Sequence, residues 1–128
     1  FWGGFSDVKG RKYCLAIIVV GWVVATVGCN FITSVTSGWL ILIFWGLFRN
    51  SPFPVVYALL IDSAPKTAAS SMGLMIGIAV GSAGFLVAPF AGWIITDFGF
   101  TTHYIIIAAI MLLSFIPLSM VRETVKKS

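Results

Sequence analysis

Tyr13-Cys14-Leu15-Ala16-Ile17-Ile18-Val19-Val20-Gly21-Trp22-Val23-Val24-Ala25-Thr26-Val27-Gly28-Cys29-Asn30-Phe31-Ile32 holds no charged side chain and no proline, and it begins directly after Arg11-Lys12. A bilayer hydrocarbon core of roughly 30 Å takes about 20 residues of helix to cross. The stretch has that length and lacks the alternation of a barrel strand. Backbone groups in lipid must be satisfied within the segment, so it reads as a spanning helix. Three further runs follow: Trp39 to Ile61, whose one charge is Arg49; Met72 to Thr96; and Tyr104 to Val121, with Pro117 near its end. The expected fold class is all-α, a polytopic membrane protein with four transmembrane helices, each long enough to span with some tilt.

Composition agrees. Of the 128 residues 59% are hydrophobic and 9% charged, which suits lipid better than water. A soluble fold would need consecutive helices that are apolar on every face. A secretory leader is not expected, because Asp7, Lys9, Arg11 and Lys12 precede a run too long for a signal-peptide core.

The basic residues set the orientation. Lys9, Arg11 and Lys12 precede the first run, Lys66 separates the second from the third, and Arg122, Lys126 and Lys127 follow the fourth; Thr33 to Gly38 and Asp97 to Thr102 carry none. By the positive-inside rule both termini and the middle loop are cytoplasmic, and helical spans favour a plasma or inner membrane over an outer one. The net charge of +4 therefore marks topology, and no nucleic-acid partner is expected. Cys14 and Cys29 sit about 22 Å apart along one helix and cannot pair within it. With no CxxC, no His cluster and a lone His103 at an outer loop, neither a metal nor another cofactor is expected. Asp7, Asp62, Asp97 and Glu123 all lie at membrane edges with no nucleophile-and-base set, so an enzyme has no support.

Gly3-Gly4-Phe5-Ser6-Asp7-Val8-Lys9-Gly10-Arg11-Lys12-Tyr13-Cys14-Leu15 follows the pattern G-x-x-x-D-x-x-G-R-K-x-x-L. This describes a tight turn between helices: Gly3 for close approach, Gly10 for positive φ, Asp7 to cap a helix start or to pair with Arg11, and Lys12 with its basic neighbours as a cytoplasmic anchor. The pattern resembles the cytoplasmic loop motif of the major facilitator superfamily. Ile61-Asp62-Ser63-Ala64-Pro65-Lys66 is similar to the acidic-x-x-Pro loop of that family. Ala88-Pro89-Phe90-Ala91-Gly92-Trp93, with Asp97-Phe98-Gly99 after it, resembles its Gly-Pro-x-x-Gly-Gly segment and the loop that follows.

The resemblance implies a fragment of a twelve-helix fold built from two six-helix halves, and partner helices outside this sequence. Phe53-Pro54, aligned with the family's fourth helix, places Leu42 where that helix carries Arg, which points to helices nine to twelve rather than three to six. It also implies alternating access driven by a substrate or ion gradient, proton or sodium. Asp7 and Arg11 would be gate residues whose partners lie in the other half.

Arg49 is the substrate or coupling candidate, since a charge near mid-bilayer typically costs at least a few kcal/mol and needs a reason. Asn50, Pro52 and Pro54 follow it; the prolines remove backbone donors and open the helix beside the charge. Two roles stand open: contact with an anionic substrate or a carboxylate of the missing half, or a snorkelling or structural ion pair. Tyr57 is a further cavity candidate. In the third run Gly73, Gly77 and Gly81, then Gly84 and Gly92, form small-residue stripes suited to helix packing, and Pro89 is a third helix break. The competing reading is a self-contained four-helix protein, either a dimeric small exporter or a non-transporting subunit. The exporter class uses an acidic residue in its first helix, and this first run has none.

Overall fold

In the computed structural model residues 2–124 are described, and all regular structure among them is helical. The expected contribution of Lys126 and Lys127 lies outside the described residues. Helix α1 (Trp2–Lys9) and α2 (Arg11–Gly28) are separated by Gly10 alone, and a 3-10 turn (Cys29–Phe31) continues α2 to its far end. Then come α3 (Val35–Arg49), α4 (Pro52–Ser63), α5 (Ala68–Ser82), a π turn (Ala83–Val87), α6 (Ala88–Leu113) and α7 (Phe115–Met120).

Local chemistry sets these boundaries. α3 starts four residues before the expected Trp39 because Ser34 and Ser37 form a capping box: the Ser34 hydroxyl accepts the Ser37 N–H at 3.2 Å and the Ser37 hydroxyl accepts the Ser34 N–H at 3.0 Å. The second run breaks at Asn50-Ser51, and Pro52 opens α4 at a position where its missing N–H costs no helical bond. Pro54 falls within the first turn of α4. Pro89 cannot bond the Phe85 carbonyl and its ring would crowd it; the chain widens there into the π turn, with the Ala88 N–H reaching the Ala83 carbonyl.

Three helical stretches among the described residues are long and apolar enough to cross a membrane: Arg11–Phe31, Val35–Ser63 and Ala68–Met120. Four separate spans are not distinguished among the described residues. The third and fourth runs form one 53-residue stretch, and the expected loop at 97–102 is helical except at Gly99, with φ 82° and ψ 171°. A straight helix of that length would measure about 80 Å at 1.5 Å per residue. Gly99 is therefore where the path leaves helical geometry, in a conformation open to glycine.

The core gathers around α2. Cys14, Leu15, Ile18 and Val55 are buried together, with Trp2, Phe5, Trp22, Phe48, Leu59 and Leu118 packed against them. α2 carries six buried residues, whereas α3 has none and α5 only Ala68. Large apolar side chains such as Leu74, Ile78, Val80 and Phe85 stay exposed, as expected of surfaces meant for lipid or other helices.

Candidate functional site

At one end of the bundle three distant segments converge on Arg11. Its guanidinium pairs with Asp7, donates to the Ser6 hydroxyl at 2.7 Å, and reaches Asp62 at 3.2 Å. The Ser6 hydroxyl in turn donates to the Gly3 carbonyl at 2.7 Å. Thr124 donates to the same Asp62 oxygen at 3.1 Å. Glu123 closes the cluster from the far end of the chain: its two carboxylate oxygens accept the N–H groups of Arg11 at 2.8 Å and Lys12 at 3.0 Å. Those are orphan donors of the first turn of α2, where a negative charge also meets the positive end of the helix dipole.

Gly10 makes this contact geometrically available. Its φ is 105°, and a Cβ built on it would lie 2.6 Å from a Glu123 oxygen. Lys12 reaches past the cap to the Ser119 carbonyl at 2.7 Å. Asp7 therefore pairs with Arg11 rather than capping a helix. Gly3, expected at a close helix approach, has open space around it. Arg11 thus has Asp7, Ser6 and Asp62 as partners within this chain, besides the partners that the resemblance implies in the other half.

The second polar locus is the α3–α4 break. At the end of α3 the Phe48 carbonyl accepts the Trp22 indole N–H at 2.7 Å beside the Ser51 N–H at 3.3 Å. The Leu47 carbonyl accepts the Trp2 indole N–H at 2.9 Å and the Ser51 hydroxyl at 2.6 Å. Gly21 brings α2 close enough for this: a Cβ there would fall 2.6 Å from the Phe48 ring. Asn50 lines a cleft of about 450 Å³ with Trp2, Gly3, Gly46, Ser51 and Pro54, and Tyr57 stacks obliquely near Phe53, ring centroids 6.0 Å apart.

Arg49 ends α3 at this break. Its guanidinium carbon lies 5.4 Å from the centre of the Trp45 ring, a cation–π contact. Among the described residues it makes no ion pair. Trp45 also walls a cavity of about 300 Å³ between α2, α3 and the later half of α6, at the end of α2 opposite the Arg11 cluster. Gly73, Gly77, Gly81, Gly84 and Gly92 meet no neighbour within 4 Å of a built Cβ, so within this chain the small-residue stripes face open space. No group of three metal-ligating His, Cys, Asp or Glu side chains occurs among the described residues.

Sequence reasoning missed Glu123, Trp2, Trp22 and Gly21. The first lies 112 residues from Arg11 in the chain, and none carries a local signature. Asp62 was read as part of a loop but not as a partner of Arg11.

The family model of the Major Facilitator Superfamily matches residues 1–128. The chain belongs to the major facilitator superfamily. An uncharacterized MFS-type transporter of Methanocaldococcus jannaschii is 31% identical over 97 residues, covering 74% of this chain and 24% of that relative. The chain thus spans about a quarter of the length of the curated relative it matches. No solved structure matches it. Membership of the superfamily, with three stretches able to cross a bilayer, makes this an integral membrane protein.

Proposed function

We propose that this chain is part of a secondary transporter that moves a small solute across a plasma or inner membrane by alternating access, with Arg49 facing the transport path. The observation that carries the reading is Arg49 itself, a cation at the end of α3, inside an apolar stretch, resting on Trp45 with no carboxylate partner among the described residues. A charge so placed needs a counter-group from a solute or from another helix. The adjoining break is the discontinuous-helix arrangement from which transporter sites are built.

Gly99 serves as the turn between two crossings, which gives four spans, helices nine to twelve of twelve, and both termini in the cytoplasm. The cluster of Asp7, Gly10, Arg11 and Lys12 with Asp62 and Glu123 supports a gating role at the cytoplasmic end. Its ion pairs hold three loop ends together, and the rest of the transporter rocks against them. A substrate, proton or sodium gradient supplies the energy. The test is Arg49→Gln in the full-length protein in proteoliposomes. Normal insertion with transport reduced at least about ten-fold is expected, the equivalent of losing roughly 1.4 kcal/mol of binding. Undiminished transport would overturn the reading.

A further inference from the structure

We infer that the groove where α1 turns into α2 holds an anionic phospholipid, its phosphate on Lys9 and Lys12 and one acyl chain along the outer face of α2. The groove measures about 540 Å³ and runs from Val8 past Gly10 to Tyr13 and Ala16; Lys9, Lys12 and Glu123 are its charged lining. It lies at the charged end of Arg11–Phe31, a stretch long and apolar enough to cross a bilayer. Lysine and tyrosine side chains at such an end reach the level of the lipid headgroups.

The charges in the groove select the headgroup. The Glu123 carboxylate is engaged as the cap of α2, accepting the N–H groups of Arg11 and Lys12. The Lys12 ammonium donates to the Ser119 carbonyl at 2.7 Å, a neutral acceptor that takes one of its three hydrogens. Lys9 is exposed and has no carboxylate partner among the described residues. Two cations against one carboxylate leave the lining with excess positive charge, which a singly anionic lipid neutralises and a zwitterionic lipid does not. The face of α2 beyond the groove suits the chain. Tyr13, Val20, Val24 and Val27 are exposed, and their spacings of seven, four and three put them on one side of the helix, in line with the half-buried Ala16. From Ala16 to Val27 this side rises about 17 Å, close to the depth of one leaflet in a hydrocarbon core of roughly 30 Å. Its valines differ from the glycines of α5 and α6, which suit the close approach of another helix. Branched apolar side chains in a row offer a flexible chain a continuous track instead.

The test uses the full-length protein in detergent, titrated with phosphatidylglycerol or phosphatidylcholine carrying the same acyl chains, with bound lipid counted by native mass spectrometry. Phosphatidylglycerol is expected to fill its first site at a concentration at least about ten-fold lower than phosphatidylcholine. Lys9→Gln, at an exposed position, is expected to raise the half-saturating concentration roughly five-fold, and Lys9→Gln with Lys12→Gln to raise it further. Ala16→Phe, which fills the groove below the lysines and leaves the charges in place, is expected to weaken binding as well. Lys66→Gln removes the same charge outside the groove and is expected to change nothing. Equal binding of the two lipids, or equal weakening by Lys66→Gln and Lys9→Gln, overturns the inference, because net charge or chain contact alone would then account for it. Displacement of the lipid by millimolar glycerol 3-phosphate also overturns it, since the groove would then be a site for a free phosphate ester.

Discussion

At the α1–α2 junction the donors left over at a helix start go to the carboxylate of Glu123, whereas at the α3–α4 junction the acceptors left over at a helix end go to the indoles of Trp2 and Trp22 and the Ser51 hydroxyl. Both junctions hold an arginine. Arg11 is surrounded by Asp7, Ser6 and Asp62, while Arg49 rests on a ring. The difference follows from the surroundings: the Arg11 cluster lies at the end of an apolar stretch and the α3–α4 break lies inside one. Near water a carboxylate stays charged at little cost and serves as the cap. Within an apolar span the same charge would be expensive, so neutral indoles, which bring their own apolar bodies, close the break instead. That leaves Arg49 without an ion pair among the described residues, as its proposed place on the transport path requires.

Substitutions can break that contrast, and the largest effect is expected at Gly10. Gly10→Ala forces a side chain into a positive-φ position and into the Glu123 carboxylate, so it should cost about 1–3 kcal/mol. The loss would appear as a lowered thermal midpoint in detergent, and an unchanged midpoint would mean the cap is not held as described. Trp22→Phe keeps the packing but takes the indole donor from the Phe48 carbonyl; that acceptor keeps the Ser51 N–H at 3.3 Å, and the expected cost is about 1 kcal/mol. Hydrogen exchange should rise around 47–52 and stay level around 10–12.

Glu123→Gln leaves an acceptor but removes the charge from the helix start, a loss of about 0.5 kcal/mol. The wild-type advantage should shrink as salt is raised; a salt-independent difference would assign the effect to hydrogen bonding alone. Gly77→Ala has the opposite sign. With open space at its Cβ it should shift the stability of this chain by less than about 1 kcal/mol, in the stabilising direction from helix propensity. A clear loss in the longer protein would sharpen the comparison by locating a helix packed on that stripe.

What the sequence made legible is what short-range chemistry controls. The apolar runs needed only a count of residues against bilayer thickness, and the break after Arg49 followed from Pro52 lacking a donor. Gly10 was readable because a lone glycine before Arg-Lys marks a positive φ. The loop expected at 97–102 was read from polarity, yet the backbone departs from helix only at Gly99, since polar residues tolerate helix where glycine alone permits the turn. The partners of Arg11 and of the broken helix were invisible for another reason. Glu123, Trp2 and Trp22 are ordinary residues in ordinary positions, and only the packing of α1, α3 and α7 around α2 brings them to the groups they satisfy. The stripe from Gly73 to Gly92 read as a packing face, and within this chain it meets nothing.

The π turn at Ala83–Val87 has a consequence for how this stretch tolerates changes in length. A π turn stores one residue more than the α-helix around it. Losing a single residue between Ala83 and Val87 would let the backbone close toward regular helix, at the cost of bringing the Pro89 ring back against the carbonyl four residues before it, and leave the side chains after Pro89 pointing where they did before. The same deletion a few turns to either side would swing all that follows by about 100° around the axis. Among the helices of this chain, that short segment is the place where a length change can be absorbed without re-aiming the residues beyond it.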